Sequence, residues 1–307
     1  MIAIEVLRPG AFSTIQDLGR FGWAHLGISP AGAADPLSLR IANRLVGNED
    51  NAAGIEMTLT GATFRFRCPC TIALTGACIG TDSVPTFEPV EMRAGSELEC
   101  AHLREGARSY LAVAGGVQVP RLLGSAATLF AAGCGGFEGR PLRRGDIVEA
   151  GNSVRRCSHV VDPARLRALA RRRTTIRVSR GRHHHRFGAD AISQFYAATY
   201  RVTTQSNRMG LRLEGEPVRL SGMDELLTEG VSLGAIQIPP SGQPIVLFVD
   251  QQTTGGYPVL ANIISADLHR VGQLQPGDNV RFELVSIPHA LQELREQERE
   301  LAEAFGW

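Results

Sequence analysis

Residues 245–261 read IVLFVDQQTTGGYPVLA, and their pattern decides the fold class. The apolar run IVLFV, rich in β-branched residues, is too short for a stable helix and is cut off by Asp250, Gln251, Gln252, Thr253 and Thr254. That combination marks a short strand buried on both faces. Gly255, Gly256 and Pro258 then force a turn before the chain becomes apolar again. Residues 109–123, SYLAVAGGVQVPRLL, repeat the order of apolar strand, Gly-Gly pair, proline and further apolar residues. Gly145-Asp146 before IVEA and Gly277-Asp278 before NVRFELV form a second matched pair, each a turn feeding a strand. The chain therefore reads as two halves of similar β construction.

Outward from these runs, strands are expected at residues 2–7, 63–67, 71–75, 97–103, 109–114 and 147–149, and again at 175–179, 201–205, 235–238, 245–250 and 280–287. One helix interrupts the first half. Asp35 is a good N-cap, Pro36 suits the first helical position, and Leu37, Ile41 and Leu45 share a face before Gly47 ends it. The composition changes at PARLRALARRR, residues 163–173, an Arg-rich helical connector. It places an N-terminal β domain over residues 1–160 and a C-terminal β domain over 161–307. A short helix is expected at residues 189–198, and a charged amphipathic one, HALQELREQERELAEAF, closes the chain.

Composition supports a mainly β chain with two cores: 307 residues, 43% hydrophobic, only 6% aromatic, and 34 glycines to serve tight turns. A formal net charge of +1 gives no global attraction to nucleic acid or anionic lipid, so neither is expected as a partner. The start MIAIEVLRPG lacks the basic, long-apolar form of a secretory signal, and no apolar stretch approaches the ~20 residues of a membrane span. The cytoplasm is the expected location. Cys68, Cys70, Cys78, Cys100, Cys134 and Cys157 lack the doubled close spacing of a zinc site, so no metal site is expected. All 32 basic residues are arginine. The absence of lysine excludes a Walker A lysine, a Schiff-base lysine and a lysine carrying covalent biotin, leaving arginine forks, backbone amides or a metal to handle any phosphate or carboxylate.

Four stretches are more polar than folding requires. In residues 9–36, Gln16, Asp17, Arg20, His25 and Asp35 are interleaved with glycines and prolines, which reads as a ligand-holding loop outside the core; a plain connection is the alternative. In SNRMGLRLEG, residues 206–215, Asn207 offers donor and acceptor while Arg208 can clamp an anion, a pairing that suits an amide or carboxylate. Gln252, Thr253, Gly255, Gly256 and Tyr257 follow an apolar strand and favour a concave, backbone-exposed site. SRGRHHHRFG, residues 179–188, invites a metal reading, but adjacent histidines rarely converge on one ion, so a solvated basic loop is favoured.

These segments, PGAFSTIQDLGRFGWAHLGISPAGAADPLSLRIANRLVGN, RSYLAVAGGVQVP, SNRMGLRLEG and GQPIVLFVDQQTTGGYP, resemble the KipA/PxpC family, also described as the 5-oxoprolinase C-subunit, allophanate hydrolase second subunit or biotin-dependent carboxyltransferase-like protein. The resemblance is collinear over nearly the whole chain. It implies two β-barrel-like halves, the second cyclophilin-like, and a protein active only with a KipI/PxpB-type subunit and a LamB/YcsF (PxpA-type) subunit. The implied activity is ATP-dependent hydrolysis of the lactam of 5-oxo-L-proline to L-glutamate, with ATP and Mg²⁺ acting at the level of the complex and no covalent biotin on this chain. Alternatives implied by the same family are a carboxyltransferase or allophanate hydrolase-type subunit of urea or guanidine metabolism, and a non-catalytic antagonist of a KipI-type kinase inhibitor. A prolyl isomerase role would rest on fold alone. Under the main reading Asn207, Arg208, Gln252 and Thr253 are expected to act on the amide. Gly255, Gly256 and Tyr257 complete that pocket, and Gln16, Asp17, Arg20, His25 and Asp35 form further binding surface. One departure stands out: relatives commonly carry Gly-Pro where this chain has Gly181-Arg182.

Overall fold

Alternation in the first strand sets the pattern of the N-terminal core: Ile2, Ile4 and Val6 are buried while the residues between them are partly exposed. The computed structural model describes residues 1–77, 84–100, 103, 105–151, 161–220 and 226–306. It divides into two units, one of Met1–Arg20, Ala31–Arg172 and Glu298–Trp307, the other of Phe21–Pro30 and Arg173–Gln297.

In the first unit the elements are β1 Ile2–Arg8, β2 Phe12–Gln16, α1 Pro36–Leu45, β3 Gly54–Thr58, β4 Thr63–Phe66, β5 Cys70–Gly76, β6 Pro89–Met92, β7 Glu97–Glu99, β8 Arg108–Val113, β9 Ile147–Ala150 and α2 Pro163–Leu169. They form a four-stranded sheet in the order β7-β4-β1-β9 and a five-stranded sheet in the order β2-β3-β8-β5-β6. Inward residues of both sheets, including Ile4, Phe64, Ile55, Leu74 and Leu111, share one core. The outer face of the second sheet is covered too. There Ala73 and Ala112 meet Leu37, Ile41 and Leu45 of α1, with Leu166, Leu301 and Phe305. Burial on both faces explains why residues 109–114 read as an uninterrupted apolar run rather than an alternating one. α1 forms as its sequence predicts, with the Asp35 carboxylate accepting from Ser38 N at 2.9 Å and Pro36 at the first helical position.

The expectation that residues 9–36 stay outside the core is corrected. Residues 12–16 form β2, paired with β3 from Phe12↔Thr58 to Gln16↔Gly54, and Gln16, Asp17, Arg20 and Asp35 are all buried. Polarity misleads here because each of these side chains has backbone groups to bond. The Arg-rich helix α2 belongs to the first unit, whose central segment runs to Arg172, and the boundary expected at 160/161 adjoins residues 152–160, outside the described ones.

The second unit contains β10 Thr175–Arg180, α3 Ala189–Ala197, β11 Tyr200–Val202, β12 Gly210–Glu214, β13 Glu229–Gly230, β14 Ala235–Gln237, β15 Ile245–Leu247, β16 Thr254–Gly255, β17 Val259–Ile263, α4 Leu268–Val271 and β18 Asn279–Leu284. α5, Ile287–Ala304, begins in this unit and places its residues from Glu298 onward in the first. Seven strands close into a barrel in the order β10-β17-β14-β15-β12-β11-β18, completed by the parallel pair β10–β18. Outside it β13 and β16 make a separate two-stranded ribbon. α3 stacks Phe195 on Phe282 of β18, with ring centroids 5.1 Å apart.

One buried charge cluster pins the return of the chain after β17. Asp267 accepts from Arg177 N at 2.8 Å, Arg177 Nε at 3.1 Å and Arg177 Nη2 at 2.7 Å, and pairs with Arg270. Beside it His269 is buried, which pushes its imidazole down to about 3 and keeps it neutral. Among the described residues Cys68, Cys70 and Cys134 are free thiols, with burial pushing Cys70 up to about 12. Cys78 and Cys157 lie outside the described residues.

Candidate functional site

In the second unit the segment from Asp250 to Val259 gathers contributions from all four polar stretches. The strand β15 ends at Leu247, and the chain that leaves it is fixed at successive points by different parts of the sequence. From residues 206–215, Arg208 donates through Nε to Asp250 Oδ2 at 2.9 Å and through Nη2 to Asp250 Oδ1 at 3.0 Å, a bidentate pair in which both side chains are buried. Asp250 N donates to Arg208 O at 2.8 Å, so backbone and side chains lock together. Arg208 thus grips Asp250 with two hydrogen bonds and helps to hold the start of the polar segment in place.

Asn207 behaves similarly through its oxygen. Its Oδ1 accepts from Met209 N at 2.8 Å and from Gly210 N at 3.3 Å, closing a local turn while the residue stays exposed. From the first polar stretch, Ser29 Oγ donates to Gln251 O at 2.6 Å. The Gln251 amide, oriented to suit both neighbours, donates to Ser232 O at 3.0 Å and accepts from Leu233 N at 2.9 Å. His25 lies on the same short excursion, residues 21–30, exposed and stacked beside Trp23 at 6.4 Å between rings.

The fourth stretch supplies what sequence reading missed. Its composition predicts a solvated loop, yet His183 is only 7% exposed. His183 N donates to Val259 O at 3.0 Å, and Val259 N donates to His183 Nδ1 at 3.1 Å. The close approach needs Gly181, because a Cβ there would sit 2.4 Å from Val259 O. Burial, with Arg182, Arg186 and His185 near it, holds the His183 imidazole below its ordinary value against the opposing pull of Glu229. The signal that could have located it is the glycine before the histidines, placed just after strand β10.

Around this framework Gln252, Thr254, Gly256 and Tyr257 are exposed, while Thr253 and Gly255 are partly exposed. Thr253 O accepts from Val231 N at 3.0 Å, which ties the polar segment to the chain beyond β13. A Cβ at Gly255 would fall 2.7 Å from Gln237 Nε2, so a side chain there would displace the end of that glutamine. Charged groups therefore hold the segment in place, and neutral amides, hydroxyls and bare backbone are left facing outward. That chemistry suits an amide.

The first-unit residues expected at the site form a cluster of their own. Gln16 Nε2 donates to Thr128 O at 3.2 Å, Asp17 accepts from Ser125 Oγ at 2.6 Å and Ala126 N at 2.7 Å, and Arg20 Nη2 donates to Ala127 O. Gln16, Asp17 and Arg20 thus fasten residues 125–128, while Asp35 caps α1. Tyr110 joins the entry to that helix: it receives Asp35 N at 2.7 Å and donates to Glu56 Oε2 at 2.8 Å. Its phenol is pushed well above the usual value by burial, then by the Glu56 and Asp35 charges.

A mainly β chain carrying a closed seven-stranded barrel, with a polar amide-suited segment at the end of a barrel strand, defines the class of protein. Residues 26–284 match the carboxyltransferase domain, subdomain A and B, and the chain belongs to this family. It is 40% identical over 308 residues to the 5-oxoprolinase C-subunit of Escherichia coli (strain K12), covering 99% of this chain and 98% of that protein. Identity to the 5-oxoprolinase C-subunit of Haemophilus influenzae is 37%, covering 96% and 95%. Among solved structures, K. lactis urea amidolyase superposes with a TM-score of 0.89 at 30% identity over 98% of this chain, which spans 20% of that larger protein. Among the described residues no helix is long and apolar enough to cross a membrane.

Proposed function

We propose that this chain is the PxpC-type component of an ATP-dependent 5-oxoprolinase, helping to activate and hydrolyse the lactam of 5-oxo-L-proline to L-glutamate only when joined by a KipI/PxpB-type and a LamB/YcsF (PxpA-type) subunit. The observation that carries the reading is the 40% identity to a 5-oxoprolinase C-subunit over nearly the full length of both chains. The outward-facing Gln252, Thr254 and Tyr257, on a backbone pinned by buried charges, support a substrate recognised through its neutral amide group.

A five-membered lactam is a poor electrophile and its opening is uphill, so coupling to ATP belongs at the level of the complex. This chain's described residues contain no group of three His, Cys, Asp or Glu side chains suited to a metal, and the chain has no lysine. They do not by themselves fit a Mg²⁺ cage or a lysine-bearing phosphate cradle, and no step is assigned through either group.

The superposition on urea amidolyase favours a second reading, a carboxyltransferase-type subunit of urea or guanidine metabolism. With no lysine, this chain would take biotin from another protein. Mixing the chain with both partner subunits, ATP, Mg²⁺ and 5-oxoproline separates the two. Glutamate is expected from the complete mixture alone. Glutamate from this chain by itself, or activity that demands a biotinylated protein, contradicts the proposal.

A further inference from the structure

Glu229 stands opposite Gly255 in the β13–β16 ribbon, in the register Glu229↔Gly255 and Gly230↔Thr254. Because opposed residues of an antiparallel pair project to the same face, the Glu229 side chain shares its face with a position that carries only backbone. Two groups from the loop after β10 hold its carboxylate. His183 Nε2 lies 3.3 Å from Oε1, and Arg182 Nη1 lies 3.1 Å from Oε2.

The imidazole is not free to choose its tautomer. Val259 N donates to Nδ1, so the proton of the neutral ring sits on Nε2, the nitrogen that faces Glu229. Glu229 is therefore an aimed carboxylate: its side chain is 25% exposed and reachable, its orientation is set from behind by a buried histidine, and its flank is the bare backbone of Gly255. Arg182 adds a contact through its own side chain.

We infer that Glu229 is the acceptor for the amide N–H of the substrate, with His183 as its positioning residue. This inference rests on the 5-oxoproline reading above. An amide offers one donor and one acceptor, and the outward groups of residues 252–257 are hydroxyl, amide and backbone. Glu229 supplies the acceptor of full negative charge at this segment, and a charged acceptor is the partner that makes recognition of an N–H selective.

The test uses the full complex with 5-oxoproline and with its N-methyl analogue, which lacks the N–H. Glu229→Gln is expected to lower kcat/KM for 5-oxoproline by about 10- to 100-fold, with an unchanged melting temperature. The analogue's kcat/KM should stay the same, so discrimination between the two collapses. Glu229→Asp is expected to recover part of the loss, and His183→Gln to weaken discrimination without abolishing turnover. An equal loss on both substrates, or no loss, overturns the inference while leaving the 5-oxoproline reading intact. A wild-type complex inactive on 5-oxoproline overturns both, and is told apart because the wild type itself fails.

Discussion

Replacing Arg208 with alanine is expected to lower the stability of the protein by about 3–5 kcal/mol, visible as a large fall in melting temperature by calorimetry or circular dichroism. The pair it forms with Asp250 is bidentate and both side chains are buried. Removal of the guanidinium strands a carboxylate out of water, and that penalty is a large share of the 5–15 kcal/mol that holds a typical protein folded. Loss of activity in this variant would follow from loss of structure. A double-mutant cycle separates the two causes: Arg208→Ala with Asp250→Ala should be more stable than Arg208→Ala alone, because no orphaned charge remains. An Arg208→Ala protein that melts with the wild type contradicts this account of the pair.

Asp267→Ala should be equally costly, about 3–5 kcal/mol, for a related reason with the sign of charge reversed. Asp267 is fully buried and serves Arg177 and Arg270 together, so its removal leaves two guanidinium groups short of their common partner. Glu293 still reaches Arg177, which spares part of the loss. The pH dependence follows from the same geometry. Burial alone would raise the Asp267 carboxyl, but the hydrogen bonds from Arg177 and the charge of Arg270 outweigh it and hold the group below the usual range. Its folded form thus binds a proton less readily than its unfolded form. The stabilisation is present above the ordinary carboxylate value of about 4 and is lost as pH falls through the lowered value. Melting temperature measured down through that window should drop more steeply for the wild type than for Asp267→Asn.

Much of the fold is legible in the sequence because burial and periodicity agree in it. α1 declares itself through Asp35, Pro36 and three apolar residues on one face, and the strands flanking Gly145-Asp146 and Gly277-Asp278 lie where those turns place them. What fails shares one cause. β2 reads FSTIQ and sits among glycines, so its polarity hides a strand fastened from far along the sequence, where Gln16 Nε2 donates to Thr128 O and Thr128 Oγ1 donates to Ile15 O. Such long-range bonding has no local signature.

The site divides along the same line. Residues 206–215 and 250–257 both stand out by their polarity, and they do meet at Arg208 and Asp250. Their roles are not legible, because a lone Arg208 looks like an anion clamp until its buried carboxylate partner is known. His183 is hidden among three adjacent histidines. The strand β17 beside it, with Val259 bonded to both its backbone and its ring, and Glu229 facing its Nε2 separate it from its neighbours.

The central claim is that the segment following β15 presents the amide-holding surface and works only within a larger assembly. Steady-state kinetics of the reconstituted complex on 5-oxoproline, comparing wild type with Gln252→Ala, tests it most directly. Gln252 is exposed and outside the buried charge pairs, so melting temperature should not change, while KM should rise by roughly tenfold, the loss of about one good hydrogen bond. An unaltered KM in a complex that turns over normally, or glutamate released by the wild-type chain without partners, would contradict the account.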